Sequence, residues 1–162
     1  MTPKTIDQLI DKAVEHATKT LVGKPGAEMV PLWHIQFEDR EDAVIATPWP
    51  NDHVKYAFVG ALRESMKQPQ FKVINYCFMS EAWKAEEGPG TPRGIQPRDR
   101  EDKIEIVMIN ACDRTHGRAK MLEIIRGSDG VVTELRETPS LNNYDNIGGD
   151  LVNLLLKEKT DA

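Results

Sequence analysis

Apolar residues recur every three or four positions from residue 6 to residue 21, the spacing of one face of an α-helix. Thr5, followed three residues later by Gln8, fits a capping box, and Gly23 with Pro25 ends the pattern. The pattern predicts an amphipathic helix with one face docked and the other in water. Its apolar face comprises Ile6, Leu9, Ile10, Ala13, Val14, Ala17 and Leu21.

A period of two follows in the stretch MVPLWHIQFE, which predicts a strand with Trp33, Ile35 and Phe37 on one side. His34, Gln36 and Glu38 fall on the other side. The charged tetrapeptide DRED at 39–42 leads into AVIATPW, and two apolar runs around a charged loop predict a β-hairpin. The second strand must end at Pro48 or Pro50, because neither residue has an N–H for a ladder.

A second helical stripe begins after Asn51 or Asp52, either of which can cap it, and ends before Pro69. Its members are Val54, Ala57, Phe58, Ala61, Leu62 and Met66. The next stretch, FKVINYCFMSEAW, is apolar on both faces, which is typical of a central strand covered on each side. The alternation predicts Val73, Cys77 and Met79 on one face and Ile74, Tyr76 and Phe78 on the other.

The remainder of the chain alternates strands and turns. Residues 86–97 carry three glycines and three prolines, which predicts a mobile or functional loop. The runs KIEIVMINACD, RAKMLEIIRG and VVTELRE predict further strands, and NIGGDLVNLLLKE predicts a closing helix. Its apolar positions are Ile147, Leu151, Leu154 and Leu155.

We therefore expect a single α+β domain over residues 1–162, with helices packed on a mainly antiparallel sheet of five to six strands. The predicted order is α-β-β-α-β-β-β-(β)-α. This order is similar to that of profilin-like and roadblock-like folds, an analogy of fold that carries no function.

Composition and charge limit the partners and the cellular location that we expect for the protein. The net charge of −5 comes from scattered acids, and no basic stripe indicates nucleic-acid binding. The first residues are charged and periodic, unlike a signal peptide, and no apolar run is long enough for a membrane span. Cys77 and Cys112 lie in apolar runs, which favours buried free thiols over a disulfide or a nucleophile. We expect a protein of the bacterial cytoplasm or of a phage-infected cell.

Few residues suggest catalysis. The four histidines lack metal-ligand spacing, and no phosphate-binding or hydrolase motif occurs, so we expect no metal and no cofactor. His34, alone on a polar face, is read as solvated. The weak catalytic candidates are Glu81 in SEAW, and Asp113 and His116 in the predicted turn DRTHGR. An enzyme or small-ligand binder would use them around the long loop, with Arg100 or Arg118 as an anion clamp.

Two tryptophans are candidates for partner binding. Trp49 either packs against the first turn of the following helix or lies exposed at a partner interface. Trp83 shares a strand face with Glu81, and it either covers the sheet edge or forms a binding floor. Together with Arg100 and Arg118 they form the predicted binding set.

The tetrapeptide DRED occurs at 39–42 and again at 99–102. Because the flanking residues differ, we interpret it as the same turn chemistry used twice rather than as an internal duplication. The alternative is that both acidic turns meet at one end of the sheet and bind a cation or a basic partner.

Three stretches, PLWHIQFEDREDAVIATPWPNDHVKYAFVGALRE, INYCFMSEAW and PRDREDKIEIVMINACDRTHGRAKMLEIIR, resemble a group of small bacterial and phage-encoded proteins of uncharacterised function. In that group a strand, an ATPW-type segment, an acidic helix start, SEAW and a DR-E-hydrophobic strand recur in this order. The resemblance spans roughly residues 28 to 137 and implies no function. The recurring segments contain Trp49, Glu81, Trp83, Asp99, Arg100 and Glu101.

The sequence favours a small cytosolic accessory protein that acts by protein–protein interaction or self-association, in a phage or mobile-element setting. A homodimer is expected, because a sheet edge left open by this strand order needs cover. A small-ligand binder or hydrolase-type enzyme is one alternative, and a virion structural component is another.

Overall fold

The structure, a computed structural model, describes residues 4–47, 52–84, 104–137 and 144–145, with residues 52, 83, 84, 144 and 145 described by backbone alone. The helices are α1 (Ile6–Leu21) and α2 (Asp52–Lys67), and a 3-10 turn covers Pro69–Phe71. The strands are β1 (Leu32–Phe37), β2 (Ala43–Ala46), β3 (Val73–Lys84), β4 (Ile104–Asp113), β5 (Gly117–Arg126), β6 (Val132–Glu137) and β7 (Tyr144–Asp145).

All of these strands belong to one sheet in the order β2-β1-β3-β4-β5-β6, with every described pair antiparallel and the short β7 beside β5. The predicted α+β class, the β1–β2 hairpin and the central position of β3 are confirmed. β7 was not predicted. The Pro/Gly-rich loop at 86–97 and the predicted helix around 147–155 lie outside the described residues.

Helix α1 covers one face of the sheet, and its predicted capping box is present. The Thr5 hydroxyl accepts from the Gln8 N–H at 3.2 Å, and the Gln8 side chain accepts from the Thr5 N–H at 2.9 Å. These bonds satisfy two donors that a helix start leaves unpaired. The helix packs over the apolar residues of β3, β4 and β5, a cluster that includes Cys77, Met79, Val107, Ile109 and Leu122.

Helix α2 covers the opposite face through its residues from Phe58 to Met66. Val59 and Met66 are buried there and Phe58 and Leu62 are partly buried, against a cluster formed by Trp33, Ile35, Val73, Tyr76, Phe78 and Cys112. The predicted stripe was wrong at three positions: Val54 is 42% exposed, and Ala57 and Ala61 are also exposed. The contact begins at Phe58, and Val59, which the predicted stripe left out, is buried beside it.

One face assignment in β3 was also wrong. Val73 packs with Tyr76 and Phe78 rather than with Cys77 and Met79. The cause is a β-bulge, since Gln36 pairs with Asn75 but Phe37 pairs with Val73, which skips Ile74. One extra residue in a strand reverses the alternation on its far side.

Candidate functional site

Strand β2 forms an open edge of the sheet and carries no charged side chain. Its residues, Ala43 to Ala46, pair with β1 on one side and have no described strand on the other. Val44 is 62% exposed and Ile45 is 37% exposed, and these two neighbours point to opposite faces of the sheet. An uncharged, apolar strand edge is the kind of surface that pairs with another chain.

The hydrogen-bond pattern shows which backbone groups are available at this edge. The Thr47 N–H donates to the Pro31 carbonyl at 2.8 Å, in the register that continues through Trp33–Ile45 and Ile35–Ala43. In an antiparallel ladder, hydrogen-bonded pairs alternate with unbonded ones. The N–H and C=O groups of Val44 and Ala46 therefore point away from β1, toward the open side.

Trp33 holds the β1–β2 hairpin onto the core. Its side chain is completely buried, and its ring centroid lies 4.3 Å from that of Phe78 and 5.8 Å from that of Tyr76. The indole N–H donates to the Thr47 hydroxyl at 3.0 Å, immediately after β2. The aromatic cluster thus fixes β1, and the hydrogen bond positions the end of β2.

The first DRED tetrapeptide forms the loop between β1 and β2, as predicted for turn chemistry. Its last residue, Asp42, accepts hydrogen bonds from His34 Nε2 at 2.7 Å and from Gln36 Nε2 at 2.9 Å. Gln36 in turn accepts from the Lys4 N–H at 3.0 Å, which joins the hairpin to the start of α1. Burial alone would raise the pKa of Asp42, but these hydrogen bonds and nearby positive charges hold it below its usual 3.8.

The sequence suggested that the His34 side chain is freely solvated, and this interpretation was wrong. Only 21% of its side chain is exposed, and its ring is fixed by Asp42. It lies on the α1 side of β1, which α1 covers only in part, since Leu32 is half-buried and Val44 is exposed. The second DRED, at 99–102, lies outside the described residues.

A groove of about 360 Å³ lies between α1 and the β1–β2 hairpin. Its apolar lining consists of Leu9, Ala13, Leu32, Val44, Cys77 and Met79. Its polar lining consists of Lys12, Glu15, His16, Lys19 and His34. Val44 belongs both to this groove and to the open strand, so the two features form one continuous surface.

Glu81 lies on the α1 side of β3, beyond the C-terminal end of the helix. Its carboxylate accepts the Met29 N–H at 2.9 Å. Burial, together with the negative charges of Glu105 and Glu28, raises the pKa of Glu81 above its usual 4.5. Arg126 opposes this only weakly, because its guanidinium is bound to both carboxylate oxygens of Glu105, at 2.8 and 3.0 Å.

We expect the Glu81→Gln variant to be more stable than the wild type at pH 7, because the amide keeps the Met29 hydrogen bond without a partly buried charge. A raised folded-state pKa means that ionisation of Glu81 disfavours the fold. The advantage of the variant should therefore be absent below about pH 4.5 and should grow as the pH rises through the raised pKa. Urea unfolding at a series of pH values measures it.

The matched variant Glu105→Gln should be less stable than the wild type at pH 7, because it removes the carboxylate that binds Arg126. If both substitutions change the free energy of unfolding equally at every pH, the claim that ionisation of Glu81 destabilises the fold is contradicted.

Asp113 and His116 form a turn between β4 and β5. The Asp113 carboxylate accepts from the N–H groups of Thr115 and His116, both at 2.8 Å, and from the Thr115 hydroxyl at 2.9 Å. Burial raises the pKa of Asp113, but the turn hydrogen bonds outweigh burial and lower it below 3.8. This is the arrangement of a capping acid in a tight turn.

The structure does not bring Glu81 together with Asp113 and His116. Asp113 pairs with Asn75, which lies six residues before Glu81 in β3, a separation of about 20 Å along the strand. Arg118 forms an ion pair with Asp7 at the first turn of α1. Trp49 and Arg100 lie outside the described residues, and Trp83 is described by backbone alone, paired with Glu105.

The two cysteines are free and buried, on opposite faces of the sheet, so they cannot bond to each other. Burial raises the pKa of the Cys77 thiol to about 12, which removes its nucleophilic form at neutral pH. Within the described residues no three His, Cys, Asp or Glu side chains are grouped as metal ligands. In the same part of the chain, no helix combines the length and the apolar character needed to cross a membrane.

Sequence reasoning missed the groove and the His34–Asp42 pair. The signal for the pair was present, because a hairpin that pairs residue 34 with residue 44 also sets residue 36 opposite residue 42. Asp42 is then opposite Gln36 and diagonal to His34 on the same face.

No family model, no curated protein and no solved structure matches this chain. The resemblance to bacterial and phage-encoded proteins and the fold analogy therefore stay predictions.

Proposed function

We propose that the protein is a non-catalytic accessory protein that binds another polypeptide chain through the open edge of β2, and that a second copy of itself is one such partner. The observation that carries this proposal is the exposure of Val44 and Ile45 on an uncharged edge strand. Native proteins usually protect such edges with charges, prolines or bulges. Here the strand itself, Ala43 to Ala46, has none of these.

Self-pairing fits the hydrogen-bond pattern of the edge. Two antiparallel copies of β2 related by a two-fold axis would place Val44 of one copy opposite Ala46 of the other, with the two Ile45 residues facing each other. The outward N–H and C=O groups of Val44 and Ala46 would then bond across the seam. The two Asp42 residues would lie at opposite ends of the seam, so like charges would not meet.

The seam is short, because β2 has four residues. An interface of this size falls below the area of stable permanent complexes, so we expect a dissociation constant in the micromolar range. The net charge of −5 on each chain also opposes association at low salt. A cytoplasmic location fits the two buried free thiols, and the phage or mobile-element setting remains part of the proposal.

The separation of Glu81 from Asp113 and His116 supports this proposal over the enzyme alternative. A catalytic acid and a histidine must lie within hydrogen-bond reach of one reacting group, and these residues lie near opposite ends of neighbouring strands.

Sedimentation equilibrium tests the self-association. We expect the weight-average mass to rise with concentration from 18.3 kDa, the mass of one chain, toward twice that value. Added salt should shift the curve toward the dimer by screening the net charge. A mass that stays at one chain throughout the micromolar range would overturn self-association through β2.

A further inference from the structure

The groove between α1 and the β1–β2 hairpin, which shares Val44 with the strand edge, has the features of a ligand site of its own. The side chains of Leu9, Cys77 and Met79 in its lining are nearly fully buried, and Val44 stands exposed on its outer wall. A ligand seated there would cover the water-exposed apolar surface of Val44 and of half-buried Leu32, and covering such surface is favourable.

The shape of the groove favours a slender molecule. Its volume of about 360 Å³ lies at the lower end of the range for small-molecule sites, about 300–1,000 Å³. Helix α1 borders it from Leu9 to Lys19, which corresponds to about 15 Å of helix. A bulky or branched ligand would use this long, narrow space poorly, whereas an unbranched chain would lie along it.

The charges at the rim favour an anion. Lys12 and Lys19 flank a single acid, Glu15, which lies 2.7 Å from Lys19. Two lysines against one glutamate leave one positive charge, and His16 and His34 add positive charge when protonated. The carboxylate nearest His34 is Asp42, which is already bound to it. The surplus positive charge therefore lies on the helix side of the groove, beside Lys12 and Lys19, whereas Asp42 offsets His34 on the hairpin side.

We infer that the groove binds a medium-length aliphatic carboxylate, with its chain on the apolar lining and its carboxylate beside Lys12 and Lys19. The binding is reversible and non-covalent, because a carboxylate is not an electrophile toward the amine, imidazole and thiol groups of the lining.

Titration with decanoate, followed by backbone amide and methyl NMR, tests this inference. We expect shifts confined to α1 and to the β1–β2 hairpin, with saturation. Decanol, which has the same chain without the charge, should bind more weakly, and decyltrimethylammonium should bind most weakly. Raising the salt concentration should weaken decanoate binding and leave decanol binding unchanged.

The double substitution Lys12→Gln and Lys19→Gln should weaken decanoate binding about fivefold, the effect expected for losing partly exposed charge contacts. The matched control replaces two lysines of α2, Lys55→Gln and Lys67→Gln, and should leave the affinity unchanged. The Ala46→Pro variant, for which we expect weaker self-association, should bind decanoate as the wild type does, which separates this site from self-association.

Two results would overturn the inference while leaving the strand-edge proposal intact. One is equal binding of all three probes, which would show a surface without preference for an anion. The other is decanoate-induced shifts outside the groove, or none at all. Conversely, a chain that stays monomeric but binds decanoate in the groove would overturn self-association through β2 alone.

Discussion

Replacing Ala46 with proline is expected to weaken self-association about tenfold or more while leaving the chain folded. The Ala46 N–H points away from β1, so proline removes a donor of the proposed seam and none of the β1–β2 ladder. Two-fold symmetry doubles the effect, because each copy loses one donor. Sedimentation equilibrium gives the dissociation constant, and circular dichroism verifies the fold.

Two substitutions serve as controls. Ala46→Ser keeps the N–H and should retain the dimer. Ala43→Pro removes an N–H that points toward Ile35 in β1, so it should destabilise the hairpin instead of acting at the seam alone. If Ala46→Pro associates as tightly as the wild type, the seam is not built from the outward groups of β2.

Trp33→Ala should lower the free energy of unfolding by about 3–5 kcal/mol. The side chain is fully buried against Phe78, Tyr76 and Phe58, and its N–H holds Thr47. Its removal leaves a large cavity and also frees the end of β2, so self-association should weaken as well. Urea unfolding measures the loss of stability.

Trp33→Phe should cost less, because a phenyl ring keeps part of the aromatic contact and loses the bond to Thr47. Tyr56 is 54% exposed on α2, so Tyr56→Ala should change stability by no more than about 0.5 kcal/mol. A Trp33→Ala variant as stable as the Tyr56→Ala variant would show that the aromatic cluster does not hold the hairpin.

The helices and strands could be predicted from the sequence because each has a clear period. The α1 face and the β1 alternation are local patterns, and both are confirmed. The edge position of β2 could not be predicted in this way. It depends on β3 pairing with the far side of β1 after the intervening helix α2, and that choice is made by long-range packing of Trp33 against Phe78.

The grouping of Glu81 with Asp113 and His116 could have been rejected from topology alone. Glu81 lies near the end of β3, and Asp113 is the last residue of β4. In an antiparallel pair the C-terminal end of one strand lies beside the N-terminal end of the other, so the two C-terminal ends are a strand length apart. The sequence supplied suitable residue types, but the strand direction keeps them apart.

The β-bulge at Ile74 could not be predicted from the sequence, for a different reason. The pattern of apolar residues continued through Val73 without interruption, since both faces of β3 are covered and accept apolar side chains. Alternation cannot reveal a bulge when both positions that it exchanges are apolar.

Hydrogen exchange at the amides of Val44 and Ala46, followed as a function of protein concentration, tests the strand-edge account most directly. Both N–H groups face the open side of β2, whereas those of Ala43 and Ile45 bond to β1. We predict that protection of Val44 and Ala46 rises as dimer forms and that protection of Ala43 and Ile45 changes little. Fast, concentration-independent exchange at Val44 and Ala46 in a sample shown to be dimeric would contradict the account.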